Sequence, residues 1–260
     1  MPHGHVTIDL GISMLLRRIT KHVKDQNWFA VGIDFAIVVI GVFIGIQVAN
    51  WNDSRADWSL RGDYLTLLTE DLQADITETQ DTERQAWARV GAIDDIFDTA
   101  GLEQPLREVY VEGQVLTAPP IPNFTAEYPY AHNHSITNLP TFEGTNETYE
   151  AIVSNGHFGI LNDPNLVRKI QRYQRSVEGV QKFDEAIIET FRRITDMRSR
   201  NAISVAGRTT LQDFAKAVKS DPQLAAELET YHFNSAVQAG RVIELRLEAE
   251  ALVAAIEEAQ

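Results

Sequence analysis

Apolar positions fill one uninterrupted run of this chain. From Trp28 to Ala49 it reads WFAVGIDFAIVVIGVFIGIQVA, twenty-two residues with Asp34 as the one formal charge. At about 1.5 Å per residue such a helix is roughly 33 Å long, enough to cross a hydrocarbon core of about 30 Å. Trp28 and Trp51 stand at its ends, where indole rings favour the headgroup layer. The pattern predicts a transmembrane helix over residues 28–50. A soluble core helix this apolar on all sides would need a large domain around it. A signal peptide has a shorter apolar region, and Asn50, Trp51 and Asn52 suit its cleavage poorly.

The polar positions around this run are sorted by sign. Arg17, Arg18, Lys21 and Lys24 precede it, against Asp9 and Asp25; Asp53, Asp57 and Asp63 follow it, with Arg55 and Arg61. The basic flank predicts an N-terminus in the cytoplasm and a periplasmic C-terminal domain, anchored once in the inner membrane. Within 1–27, Ile8, Ile12, Leu15, Leu16 and Ile19 recur at helical spacing, with the cations elsewhere. That is a basic amphipathic segment suited to the inner leaflet.

Beyond the span the period of 3.6 dominates. Leu65, Leu68, Leu72, Ile76, Thr79, Glu83, Ala86, Val90, Ile93 and Phe97 step by threes and fours, a helical seam with a polar patch in its middle, ended by Gly101 and Pro105. Nothing between Trp51 and Leu60 breaks a helix, so the span and the seam can be continuous. Residues 114–145 are different: Pro119, Pro120, Pro122, Pro129 and Pro140 fall among Phe124, Tyr128, Tyr130 and Phe142. They predict an irregular, surface-packing loop. Thr145 or Asn146 can cap a short helix that stops at Asn155–Gly156. Asp163–Pro164 and Asp221–Pro222 are cap-plus-proline helix starts. After the first, Leu166, Ile170, Tyr173, Val177, Val180, Phe183, Ile187, Phe191 and Ile194 mark one side of a long helix. From Asn234 to Gln260, Val237, Val242, Leu245, Leu252 and Ile256 repeat that spacing. Val109 to Leu116 is the one strand candidate. Residues 51–260 thus predict an all-α extracytoplasmic bundle of long antiparallel helices.

Composition narrows the function. The chain has 23 Lys plus Arg and 37 Asp plus Glu; four basic and three acidic residues fall in 1–50, leaving a net charge of −15 beyond. That balance argues against nucleic acid as a partner. There is no cysteine, which excludes disulfides, thiol catalysis and cysteine-ligated metals. No glycine-rich phosphate loop, serine elbow or zinc-protease helix pair is present, so no catalytic residue and no cofactor is expected.

The stretch Gly32–Asn52, GIDFAIVVIGVFIGIQVANWN, resembles the signature of a bacterial family of single-pass membrane proteins of unknown function, of the IGxxIGxQxxNWN type. Thr148–Leu166, TYEAIVSNGHFGILNDPNL, is similar to a second segment of that family, in which a Ser-x-Gly turn precedes a new helix. Asp34 stands where the family usually has glutamate, and Val48 and Ala49 also depart from its pattern. The resemblance implies an N-terminal anchor and a helical external domain, and it carries no activity.

The candidate sites lie mostly in the span. Gly41, Gly45 and Ala49 form a small-residue strip that lets another helix approach closely, whether a second copy or another subunit. Asp34 is an ionisable group well inside the apolar run, where such groups have a partner or a task. A proton relay would need a second titratable group. A hydrogen bond to a partner helix, or to Lys24, gives Asp34 a structural or assembly role instead. Gln47, Asn50 and Asn52 can bond across helices or to the interface. Trp28, Trp51, Arg17, Arg18, Lys21 and Lys24 are the interface anchors. His132, His134 and His157, near Glu127, Glu143 and Glu147, are the best metal candidates, yet zinc wants three or four converging ligands; they are expected as surface residues, with His3 and His5 weaker still. Asp94 with Asp95, and Glu257 with Glu258, read as solvated charge.

These readings converge on a membrane-anchored, non-catalytic interaction or accessory subunit that docks on a larger membrane assembly, with lipid and another transmembrane helix as partners. The alternative is an extracytoplasmic ligand-binding sensor. About 27 cytoplasmic residues are too few for a signalling domain, so a sensor would signal through a partner protein.

Overall fold

The computed structural model describes residues 28–105, 108–111, 114–117, 130–204 and 208–259. The amphipathic segment 1–27 lies outside them, as do Pro119, Pro120, Pro122, Phe124, Glu127, Tyr128 and Pro129. Six α-helices are described: α1 (Trp28–Ala100), α2 (Ala131–Thr137), α3 (Glu147–Ser154), α4 (Pro164–Arg200), α5 (Leu211–Ser220) and α6 (Pro222–Glu257). A 3₁₀ turn covers His157–Leu161. One short antiparallel pair, β1 (Glu108–Val111) and β2 (Gln114–Thr117), sets Val109 opposite Leu116.

The helix ends follow local chemistry. Asp163 Oδ1 accepts from the N–H groups of Asn165 and Leu166, and Asp221 Oδ1 accepts from Gln223 and Leu224. Each side chain satisfies donors that a helix start leaves open, with proline at the position that needs no donor. Gly101, at φ +67°, closes α1 through Leu102 N–H to Phe97 O at 3.0 Å. Gly156, at φ +69°, turns the chain after α3. Helix α5 goes beyond the sequence expectations; Thr210 Oγ1 caps it by accepting from Asp213 N–H.

Backbone contacts divide the chain after Trp58. In the first unit every described side chain from Trp28 to Trp58 is exposed, including Phe35, Ile40, Phe43 and Ile46. Its helix is long and apolar enough to cross a membrane, and none of the apolar window is buried.

The second unit, from Ser59, is built on three long helices. One cluster joins Leu65, Leu68 and Leu72 of α1 to Leu166, Ile170 and Val177 of α4 and Leu245, Leu252 and Ile256 of α6. Another joins Ile93 and Phe97 of α1 to Ile187 and Ile194 of α4, Phe214 of α5 and Leu224 and Leu228 of α6. The pairing order shows that α4 runs parallel to this part of α1 and only α6 runs antiparallel. The expected all-antiparallel bundle is therefore corrected. Two parallel helices need a connection that returns the length of the bundle. Here α2, the irregular stretch 138–146 and α3 supply it, from Ile136 in the second cluster to Ile152 and Leu161 in the first.

The expected irregular loop at 114–145 is corrected at two places. Residues 114–117 are strand and 131–137 are helix, while 138–146 belong to no regular element. Tyr130 and Pro140 flank α2 rather than preclude it, because proline restrains only its own neighbourhood.

Candidate functional site

The sequence-derived interface residues all lie on the first unit's helix. Asp34, Gly41 and Gly45 are separated by seven and four residues, which puts them on one side of an α-helix, with Ala49 one further turn on. A Cβ added at Gly41 or Gly45 would meet nothing within 4 Å, so the strip is open. Asp34 is exposed, as are Trp28 at 70% and Trp51 at 64%. The Arg55 guanidinium stands 5.9 Å from the Trp51 ring centroid. Arg17, Arg18, Lys21 and Lys24 lie outside the described residues.

The second unit holds a buried polar network. Arg89 of α1 is fully buried. It donates to Ser235 Oγ at 3.1 Å, to the carbonyl of Asn138 at 3.0 Å and to Gln238 Oε1. Gln238 Nε2 donates in turn to Asp184 Oδ1 at 2.7 Å. Burial pushes the Arg89 pKa down and the Asp184 pKa up, because desolvation disfavours each charged form.

Carboxylates also hold the return segment. Phe142 N–H donates to Asp184 Oδ2 at 2.7 Å, and Thr145 N–H to Asp75 Oδ1 at 2.7 Å. Glu143 and Gly144 N–H donate to the two oxygens of Glu78 at 2.7 and 3.2 Å, and Thr148 N–H to Asp71 Oδ2 at 3.2 Å. Asp75 takes a further bond from Tyr173 Oη at 2.7 Å. Desolvation raises the Asp75 pKa above the ordinary value and raises that of Tyr173 as well. Thr148 explains why α3 lacks a side-chain cap of its own: Asp71 reaches across to an open donor of its first turn.

One charged residue expected on the surface is inside, and its neighbour is partly covered. Asp94 is 1% exposed and lies 3.1 Å from His232 Nε2. Asp95 Oδ2 lies 2.8 Å from His132 Nε2, whose side chain is 12% exposed. Adjacent helical positions diverge by about 100°, so the two aspartates meet different neighbours. His157 Nδ1 is 2.8 Å from Tyr64 Oη, and His134 is exposed on α2. The three histidines thus go to separate surroundings. No group of three or more metal-ligating side chains occurs among the described residues. Glu257 and Glu258 are exposed at the end of α6.

The chain matches no family model, no curated protein and no solved structure.

Arg89, Asp184 and Asp75 lie outside the sequence-derived candidates, although the sequence carries a signal for Asp184. Asp184 sits between Val180 and Ile187 at the spacing of the buried stripe, so a charged residue occupies a core position. An open cavity of about 500 Å³ lies between the end of α4 and α5 and is lined by Asn201, Ser204, Arg208, Thr209, Asp213 and Lys216.

Proposed function

We propose that this chain is a membrane-anchored, non-catalytic accessory subunit that docks on a larger membrane assembly. The carrying observation is the exposure of a long apolar helix, every described side chain of which faces outward from Trp28 to Trp58. Burying a Val, Ile or Phe side chain contributes about 1.5–3 kcal/mol, so leaving this many in water is untenable. Lipid supplies the missing cover. The cations at 17–24 retain the N-terminus in the cytoplasm and leave the acidic domain in the periplasm of the inner membrane. Gly41, Gly45 and Ala49 offer a close-approach strip to a partner helix, and Asp34 on the same side gives that partner something to hydrogen-bond. The likeness of Gly32–Asn52 to single-pass anchors agrees with this role.

The test has two arms. Membranes are separated from soluble protein, and reporters are fused after Gln260; the chain should float with membranes and the fusion should be active only outside the cytoplasm. Native mass measurement after mild detergent extraction should show a second subunit. A freely soluble chain, or a lone monomer, would refute the respective arm.

A further inference from the structure

The two buried arginines of this fold stand in different company. Arg89 lies near Asp184, whose carboxylate offsets its charge. Arg198, in the last turn of α4, is also fully buried, yet none of its partners is a carboxylate. Its Nη2 donates to the carbonyl of Ser204 at 3.0 Å and to Asn133 Oδ1, both neutral acceptors. Its guanidinium carbon stands 5.1 Å from the Phe214 ring centroid. Nε and Nη1 are buried and meet no acceptor among the described residues. A desolvated cation of this kind is costly unless an anion comes near it.

Ser204, which takes the Arg198 bond, also lines the open cavity between the end of α4 and α5. Arg198 therefore stands directly behind a wall residue of that cavity. The charged lining is mainly cationic in a chain whose net charge is −14: Arg208 and Lys216 against Asp213. Neither cation makes an ion pair among the described residues. Asp213 is already engaged, since its Oδ2 accepts from Thr210 Oγ1 at 2.8 Å. Asp221, at the far end of α5, is occupied by Asn201 Nδ2 and by two N–H groups of α6. Thr209 and Asp213 bring the start of α5 to the cavity, so the positive end of that helix adds to the two side chains. The Ser204 hydroxyl is a further donor.

We propose that this cavity is a phosphate site: Arg208 and Lys216 hold the phosphate group of a small anion, and the buried, unmatched charge of Arg198 behind Ser204 favours its entry. A buried charge is screened less than an exposed one, so Arg198 acts without touching the ligand. A phosphate group carries a charge of about −1.5 to −2 at neutral pH, more than a carboxylate brings to the same cations. Arg, Lys and a helix start together form a recurrent setting for phosphate. The volume of about 500 Å³ leaves room for an organic group beyond the phosphate. The site goes beyond the docking role and belongs wholly to the second unit.

Calorimetric titration of the full-length chain in an uncharged detergent tests this, with inorganic phosphate, glycerol phosphate and succinate as probes. At least one phosphate probe should bind more tightly than succinate, and its affinity should fall as sodium chloride rises. The tighter of the two tells whether an organic phosphate or inorganic phosphate is the occupant; either result upholds the site. Arg208→Gln and Lys216→Gln should each weaken binding at least about tenfold, as expected for losing a hydrogen bond to a charged group. Both residues are exposed, and circular dichroism checks that the variants fold. Arg198→Met should weaken binding by a smaller factor, since it removes charge but no contact; the two surface variants decide the matter if it does not fold. Lys219→Gln, on the same helix but outside the lining, should leave affinity unchanged. Failure of both phosphate probes to bind, equal or tighter binding of succinate, or unchanged affinity in Arg208→Gln and Lys216→Gln would overturn the site. So would an equal loss in Lys219→Gln.

Discussion

Arg61 Nη2 donates to the carbonyl oxygen of Ala259 at 2.8 Å, across 198 residues of chain. The same guanidinium donates through Nε to Leu161 O at 3.0 Å. One cation thus satisfies carbonyls just past α6 and at the end of the 3₁₀ turn, where helix ends carry partial negative charge. Arg61→Ala should lower stability by about 1.5–3 kcal/mol, the range for hydrogen bonds to a charged group. Arg61→Lys should recover only part of it, since an ammonium lacks the planar fork. Thermal or denaturant unfolding of the full chain checks both.

Arg89 and Asp184 are coupled through Gln238. Arg89→Met should cost about 3–5 kcal/mol, because it strands buried acceptors and a buried carboxylate. Combining it with Asp184→Asn should cost less than the two changes summed. A double-mutant cycle measures that difference; strict additivity would mean that the charges do not communicate.

Gly144 has φ +71°, and a Cβ there would lie 3.0 Å from Phe142 Cε1 and 3.3 Å from Val177 Cγ1. Gly144→Ala should therefore destabilise by about 1–3 kcal/mol through backbone strain and crowding. Exchange at the return-segment amides should rise before the rest of the unit responds.

Two aspartates should show opposite pH signatures. Asp221 is held below the ordinary value, first by the Asn201 amide and then by the N–H groups of α6. Its contribution is present above the unfolded value of about 3.9 and is lost as pH falls through the lower folded value. Asp184 is raised by burial, so its contribution is present below that unfolded value and is lost as pH rises through the higher folded one. Asp221→Ala should weaken the fold at neutral pH and matter little in strong acid. Asp184→Asn should cost less, relative to the parent chain, as pH rises. Unfolding midpoints across a pH series decide both signs.

Gly41→Leu combined with Gly45→Leu should reduce subunit association in mild detergent while leaving the second unit folded. Native mass spectra and circular dichroism read the two effects separately. Unchanged association would remove the glycine strip as the contact.

The apolar helix, the cap-plus-proline starts at Asp163 and Asp221, and the turns at Gly101 and Gly156 are legible in the sequence. Each is decided by residues within a turn or two of one another. The buried stripe of α4 is legible for the same reason, since Leu166, Ile170, Tyr173, Val177 and Val180 need only the helical period to reach one side. Asp94 shows the limit: next to Asp95 it reads as solvated charge, yet His232, 138 residues away, gives it an interior partner.

The chain alone thus determines the long helices, the capped starts at Asp163 and Asp221, and which run is apolar enough for lipid. Tertiary structure decides that α4 runs parallel to its neighbouring part of α1, that a carboxylate-held segment makes the return, and that Arg89, Asp75 and Asp184 are interior. The physical reason is range. Capping and periodicity act between near neighbours, whereas a buried charge is tolerable only where distant groups converge to hydrogen-bond it. Tyr173 and Asp75 are 98 residues apart, and packing alone brings them together.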